Sequence, residues 1–116
     1  MIHSVLSPGV YVSPGAVVKD SIIFNDTWIG PGAVIDKTII DANVFVGGGA
    51  TIGDGDTYTP NQSMPEKLNT GINVIGEQST IPMGTKIGRN VMVGSFATED
   101  DFPNDEIASG ETISSL

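Results

Sequence analysis

The chain has 116 residues, with 14 acidic side chains against 5 basic ones and a formal net charge of −9. This length predicts a single domain, and the acidic balance argues against a nucleic-acid partner or an anionic membrane, since both need clustered lysine and arginine. No apolar run approaches the roughly 20 residues that span a bilayer and no signal peptide opens the chain, so we expect a cytoplasmic protein. The cysteine count of zero excludes disulfides, thiol nucleophiles and cysteine-ligated metals.

A 17-residue repeat occupies the first part of the chain, where residues 3–19, 20–36 and 37–53 align with one another. A shorter period of six runs inside each copy. Its first position is aliphatic, as at Leu6, Val12, Ile23, Ile29, Ile40, Val46 and Ile52. Because no 3.6-residue period appears and glycine and proline recur throughout, an amphipathic helix is excluded.

The fourth position of the six predicts a sharp corner. It is glycine, asparagine or aspartate in nine of ten cases, and these residues best tolerate a left-handed backbone; the ten are Gly9, Gly15, Asp26, Gly32, Asn43, Gly49, Gly55, Gln78, Gly84 and Asn90. Short strands separated by such corners close a triangle of about 18 residues, whose coils stack strand on strand in parallel. The sequence therefore predicts an all-β parallel β-helix with position one pointing inward.

Residues 54–71 interrupt the hexads, which resume over 72–95. We interpret this segment as a loop excursion from one corner, and a lid or contact arm toward a neighbouring domain or subunit is the alternative. Residues 96–116 lose the period and carry six of the 14 acids. Here Phe102 and Ile107 are expected to cap the open end of the last coil, with a solvated tail as the alternative.

Three aromatic residues, Tyr11, Trp28 and Phe45, are spaced 17 apart at position six, which should face outward. They are predicted to stack as a ladder on one face of the prism. A large apolar stripe on a surface usually marks a contact with another domain or subunit. The other interpretation is that the long loop folds over these rings.

The sequence contains little that could perform catalysis. Its one histidine, His3, cannot supply a three-histidine zinc site, and a lone histidine near the end of the chain is a poor general base. The run Gly47-Gly48-Gly49 falls in the hexad register and is interpreted as a corner, with no phosphate-binding loop or nucleophile–base pair elsewhere. We expect no catalytic residue and no metal site in this chain.

The pattern Ile29-Gly30-Pro31-Gly32-Ala33-Val34, repeated at residues 87–92, resembles the hexapeptide repeat of left-handed parallel β-helices. More specifically, residues 3–12, 20–23, 38–43 and 69–76 are similar to the C-terminal β-helix of bacterial glucose-1-phosphate adenylyltransferases (ADP-glucose pyrophosphorylases). The resemblance covers roughly residues 3–95. It implies left-handed winding, and a role in oligomer assembly and allosteric regulation of an enzyme of glycogen biosynthesis.

In that family an N-terminal nucleotidyltransferase domain, absent from these residues, joins ATP and glucose 1-phosphate with magnesium. The resemblance implies homo-oligomers and effectors such as sugar phosphates or phosphate, held by basic side chains near the domain junction. Candidates for that contact are Lys19, Lys37, Lys86 and Arg89, although the sequence favours a solvated charge at each of them. Two other hypotheses stay open, namely a freestanding hexapeptide-repeat acyltransferase with an inter-subunit site, and a purely structural module.

Overall fold

The chain folds as a three-sided parallel β-solenoid of about six coils, in a computed structural model that describes residues 4–113. Each side is one parallel sheet, and we number the sheets in the order in which the chain visits them. Sheet I contains β1 (Val5–Leu6), β4 (Ile22–Ile23), β7 (Thr38–Ile40), β10 (Asn73–Ile75), β13 (Met92–Val93) and β15 (Thr112–Ile113). The predicted all-β parallel β-helix is confirmed.

The other two sides are built in the same way. Sheet II contains β2 (Tyr11–Val12), β5 (Trp28–Ile29), β8 (Phe45–Val46) and β11 (Thr80–Ile81). Sheet III contains β3 (Val17–Lys19), β6 (Val34–Asp36), β9 (Thr51–Ile52), β12 (Lys86–Ile87) and β14 (Glu106–Ile107). Among the described residues no helix is long and apolar enough to cross a bilayer.

The position-one aliphatic residues fill the interior of the prism. Eight isoleucines have no solvent exposure at all, and each contributes about 1.5–3 kcal/mol of hydrophobic burial; they are Ile23, Ile29, Ile35, Ile40, Ile52, Ile75, Ile81 and Ile87. Leu6 and Val12, in the first coil, are only partly buried because no coil lies beyond them among the described residues. Successive outward positions pair in register, as Tyr11 with Trp28 and Trp28 with Phe45.

All ten predicted corner residues have a positive φ. The 17-residue spacing comes from the corner between sheets III and I, where Asp20 and Lys37 also take positive φ values of 50° and 49°. Side-chain oxygens satisfy the backbone at these shortened corners, since the Thr38 N–H donates to Ser21 Oγ at 3.1 Å and the Ser21 N–H donates to Ser4 Oγ at 3.1 Å.

The coils extend further along the chain than the sequence pattern indicated. After β13, a short 3₁₀ helix (Glu99–Asp101) stands where the next sheet II strand would lie, and the extra residues hide the hexad period. The chain then returns to the solenoid as β14, which pairs with β12, and β15, which pairs with β13. Phe102 packs against the core as expected for a cap, whereas Ile107 takes an ordinary inward position on sheet III.

Two corner glycines differ in the space around them and give a matched test. We expect Gly49→Ala to lower the free energy of unfolding by about 1 kcal/mol, because the left-handed backbone (φ +71°) disfavours a side chain while no described atom beyond the adjacent residues lies within 4 Å of the added carbon. Gly53→Ala should cost about 3 kcal/mol, because its Cβ would also meet the Asp36 carbonyl oxygen at 2.5 Å. Urea denaturation of both variants measures the difference, and equal losses would contradict the packing seen at Gly53.

Candidate binding surfaces

The aromatic ladder stands on the outer surface of sheet II. The Tyr11 and Trp28 ring centroids are 6.4 Å apart with planes inclined by 14°, and those of Trp28 and Phe45 are 4.5 Å apart at 11°. Tyr11 is 52% exposed, Phe45 is 44% exposed and Trp28 is half-buried between them. The predicted stacking and outward orientation are therefore confirmed, and the rings form a flat apolar surface that a partner could cover.

The long loop lies elsewhere on the molecule. Its buried Asn61 side chain donates from Nδ2 to the Asn90 and Glu111 carbonyl oxygens, at 2.9 and 3.1 Å. The Gln62 N–H donates to the Gly110 carbonyl oxygen at 2.9 Å. These acceptors belong to the corner between sheets III and I, so the loop packs along that corner and leaves the ladder on sheet II exposed.

The predicted basic residues gather on sheet III and on the same corner. Lys19 and Lys37 are neighbours, since the Lys37 N–H donates to the Lys19 carbonyl oxygen at 3.1 Å. Arg89 lies at the equivalent corner after β12, while Lys86 is exposed on β12 beside Glu106. The structure thus brings Lys19, Lys37 and Arg89 to one corner and leaves Lys86 on the neighbouring face.

Arg89 is held by protein groups on several sides. Its Nη2 lies 2.8 Å from Asp36 Oδ2 and its Nε donates to the Gly55 carbonyl oxygen at 2.9 Å. The Tyr58 ring lies 5.7 Å from the Arg89 guanidinium carbon and 5.8 Å from Lys37 Nζ. The Arg89 and Asp36 side chains are only 10% and 19% exposed. In this arrangement Arg89 joins the long loop to two coils.

Arg89 reaches past an intervening coil to make this ion pair. Asp36 ends β6 and Arg89 follows β12, and the corner between them, after β9, is occupied by Gly53. A Cβ at Gly53 would stand 3.2 Å from Arg89 Nη1. Because glycine has no side chain, this position leaves open the space through which the Arg89 guanidinium group reaches Asp36.

Sequence reasoning did not identify Asn61 as a structural residue. Besides its two donated bonds, Asn61 Oδ1 accepts from the N–H groups of Ser63 and Met64, at 2.8 and 3.0 Å. The side chain is fully buried although it comes from the middle of a polar loop. An asparagine in a proline-containing loop is common, so nothing in the local sequence marks this one as an anchor.

A second apolar surface, also missed, runs along the outside of sheet I. Its outward positions pair in register through five coils and are aliphatic or methionine; they are Val5, Ile22, Ile39, Val74 and Met92. An open groove of about 400 Å³ lies beside this column, between Ile22 and Ile39 on one side and Ile72 at the end of the loop on the other. Asp20 and Lys37 place opposite charges at its border.

Within residues 4–113 there is no group of three histidine, aspartate or glutamate side chains that could hold a metal ion. His3 lies outside the described residues. The described residues offer exposed apolar surfaces and a basic corner for binding.

Comparison with known families agrees with the repeat and the coil geometry. Residues 1–75 match the family described as GlmU-like, C-terminal hexapeptide. The chain belongs to this hexapeptide family. The match covers the uninterrupted coils, the long loop and β10, so it includes the ladder, Lys19 and Lys37, and ends before Arg89.

Curated relatives of this hexapeptide domain are glucose-1-phosphate adenylyltransferases. That of Acetivibrio thermocellus is 40% identical over 111 residues, which are 96% of this chain and 26% of the relative. That of Thermomicrobium roseum is 49% identical over 65 residues, which are 56% of this chain and 15% of the relative. The matched segment is the C-terminal part of each relative, so the chain spans about a quarter of their length or less.

Among solved structures, the hexapeptide domain is similar to the acetyltransferase domain of PglB from Neisseria gonorrhoeae FA1090 in complex with acetyl coenzyme A. The TM-score is 0.50 at 22% sequence identity, over 97% of this chain and 53% of that one. At this identity the likeness supports the solenoid fold alone.

Proposed function

We propose that this hexapeptide domain is the regulatory and oligomerisation domain of a glucose-1-phosphate adenylyltransferase. The observation that carries the proposal is the 40% identity over 111 residues with the C-terminal part of such an enzyme. The parent enzyme would convert ATP and glucose 1-phosphate into ADP-glucose and diphosphate, the step that supplies glycogen biosynthesis in the cytoplasm. Catalysis would belong to a preceding nucleotidyltransferase domain, and the 116-residue chain itself would have no activity.

Magnesium and ATP would be bound outside the solenoid. The described residues form no cluster of metal-ligating side chains, so a magnesium site does not fit here. The relatives' additional length, about three quarters of the Acetivibrio thermocellus protein, leaves ample room for a nucleotide-binding domain. What this chain contributes is a rigid body with exposed apolar faces and a basic corner.

The ladder is proposed as the assembly surface. Tyr11, Trp28 and Phe45 hold their rings nearly parallel on a rigid sheet, so a partner can cover them with little loss of side-chain entropy. Large aromatic side chains of this kind dominate the energetics of many protein interfaces.

Effector binding is proposed at the corner between sheets III and I. Lys37 is the central candidate, because it lies beside Lys19 and against the Tyr58 ring. Arg89 would act there by fixing the Tyr58 loop through Asp36 and Gly55. Lys86, which stands beside Glu106 on sheet III, would add charge at the edge of the same region. The ligand class is a sugar phosphate or phosphate.

The proposed function is tested by assaying the complete gene product and the 116-residue chain side by side with ATP, magnesium and glucose 1-phosphate. The complete protein should form ADP-glucose and diphosphate, while the chain alone should give no product above buffer. Synthesis of ADP-glucose by the chain alone, or a reading frame that encodes no nucleotidyltransferase domain, would overturn the proposal. An added arm with acetyl coenzyme A tests the acyltransferase alternative, which has no internal histidine to support it.

The effector site yields a quantitative prediction. In the complete enzyme, Lys37→Gln should raise the concentration of inorganic phosphate or sugar phosphate needed for half-maximal regulation about fivefold, as expected for one charged contact near the surface. The rate without effector should not change, because Lys37 is placed outside the catalytic domain. Lys67→Gln, an exposed lysine in the loop, is the matched control. An equal response of both variants would remove Lys37 from the effector site.

A further inference from the structure

One peptide linkage of the chain has the chemistry for a spontaneous rearrangement. Asp54–Gly55 is the single aspartyl-glycine pair in the sequence, and no asparaginyl-glycine pair occurs. In an aspartyl-glycine pair the backbone nitrogen of the glycine can attack the side-chain carboxyl carbon of the aspartate, because glycine has no Cβ to hinder the approach. The product of that attack is a five-membered succinimide ring.

The fold leaves both reacting groups of this pair accessible. Asp54 and Gly55 are exposed at the point where the long loop leaves the solenoid, shortly after β9. Within residues 4–113 the Asp54 carboxylate has no ion-pair or hydrogen-bond partner, and the Gly55 N–H donates to no protein group. No described atom beyond the adjacent residues lies within 4 Å of a Cβ built on Gly55, so the surroundings of the linkage are open to water.

A second pair that such chemistry could affect, Asp20–Ser21, has a different setting. Serine is a small residue and hinders the attack only slightly. The Ser21 N–H, however, donates to Ser4 Oγ at 3.1 Å, and Ser21 is only 3% exposed. The nitrogen that would attack is therefore engaged within the corner between sheets III and I, and this pair serves as an internal comparison.

We propose that Asp54–Gly55 is a site of isoaspartate formation in the folded chain, and that the rearrangement releases the long loop from Arg89. The Gly55 nitrogen bonds to Asp54 Cγ and loses its proton, while one carboxyl oxygen leaves as water. A water molecule then opens the ring at either carbonyl, which restores aspartate or yields isoaspartate with its main chain running through Cβ and Cγ. The overall change leaves the mass unaltered and needs no oxidant or cofactor.

The release of the loop follows from how the backbone is fixed on either side of the linkage. The Asp54 N–H donates to the Ile87 carbonyl oxygen at 2.8 Å, and the Gly55 carbonyl oxygen accepts from Arg89 Nε at 2.9 Å. Isoaspartate adds one carbon atom, a bond of about 1.5 Å, to the main chain between these two anchors. Because Gly55 is on the exposed side, its carbonyl group is the anchor that moves away.

Ageing of the folded chain at neutral pH and physiological temperature tests the proposal. Isoaspartate is measured with an isoaspartyl carboxyl methyltransferase, which transfers a labelled methyl group from S-adenosylmethionine to the carboxylate that the rearrangement frees. We expect the label to accumulate on the tryptic peptide of residues 38–67. Asp54→Glu should lose most of this label, because glutamate would have to close a six-membered ring. Asp56→Glu is the matched control and should keep it, since the branched Thr57 already hinders attack on the exposed Asp56.

Protease sensitivity supplies the second measurement. The isomerised fraction, separated by chromatography, should be cut within residues 54–71 sooner than the fresh chain, and equal cutting would overturn the proposed release of the loop. Isoaspartate formation at this site is overturned if Asp54→Glu takes up as much label as the parent chain, if the label lies mainly on the peptide that carries Asp20, or if it appears only after unfolding in urea. No measurement involves nucleotide or effector, so the outcome is independent of the test of adenylyltransferase function.

Discussion

Replacing Arg89 with alanine is expected to lower the free energy of unfolding by about 3–5 kcal/mol, the range measured when one partner of a buried ion pair is removed. The variant would leave the largely buried Asp36 carboxylate without its guanidinium partner and the Gly55 carbonyl oxygen without its donor. It would also remove the cation that faces the Tyr58 ring. Chemical denaturation followed by circular dichroism measures the loss.

Lys86→Ala is the matched control for Arg89→Ala, because Lys86 is three residues away on the same turn of chain and is exposed. We expect the control to change stability by less than about 0.5 kcal/mol. The double variant with Asp36→Asn should recover part of the loss, since the uncompensated charge is then gone. A loss below that of the control would show that the ion pair does not hold the loop.

Asn61→Ala should destabilise the chain by about 3 kcal/mol, because the truncation leaves buried backbone groups without partners. The groups left without a partner are the Asn90 carbonyl oxygen and the N–H groups of Ser63 and Met64, while the Glu111 carbonyl oxygen keeps its bond from the Met92 N–H at 3.1 Å. Since these bonds attach the loop to the last coils, limited proteolysis should cut the variant within residues 54–71 well before the parent chain.

Asn69→Ala is the control for Asn61→Ala. Asn69 is also a loop asparagine that donates to backbone carbonyl oxygens, those of Pro65 and Glu66, but it is exposed. Its replacement should cost a few tenths of a kcal/mol at most, in line with a solvated hydrogen bond. If both variants lose the same stability and resist protease equally, Asn61 is not the anchor of the loop.

The regular coils could be predicted because their causes are local and repeated. A left-handed residue every six positions and an inward aliphatic residue between them specify the corner and the strand, and all ten predicted corners have the expected backbone. The sequence did not show that Asp20 and Lys37 are the residues that take the left-handed backbone at the shortened corners, because a deleted residue shifts the pattern. Val18 and Ile35, buried just before those corners, were missed for the same reason.

The tertiary contacts could not be predicted, because they join residues far apart in sequence. Arg89 and Asp36 are separated by 53 positions, and Asn61 and Glu111 by 50. No local sequence pattern distinguishes an arginine that pairs with a distant carboxylate from an arginine that is free to bind an anionic ligand. The end of the solenoid was placed too early because the 3₁₀ helix replaces one strand and breaks the six-residue count before β14.

The ion pair between Arg89 and Asp36, which joins two coils that are not adjacent, affects how the molecule unfolds. A stack in which each layer touches only its neighbours behaves as a one-dimensional chain and can fray from either end, layer by layer. The contact between Arg89 and Asp36 adds a second-neighbour coupling that spans the layer containing Gly53. The layers from β6 to β12 are thereby tied into one cooperative unit, whose amide protons should exchange together and more slowly than those of β1 and β2.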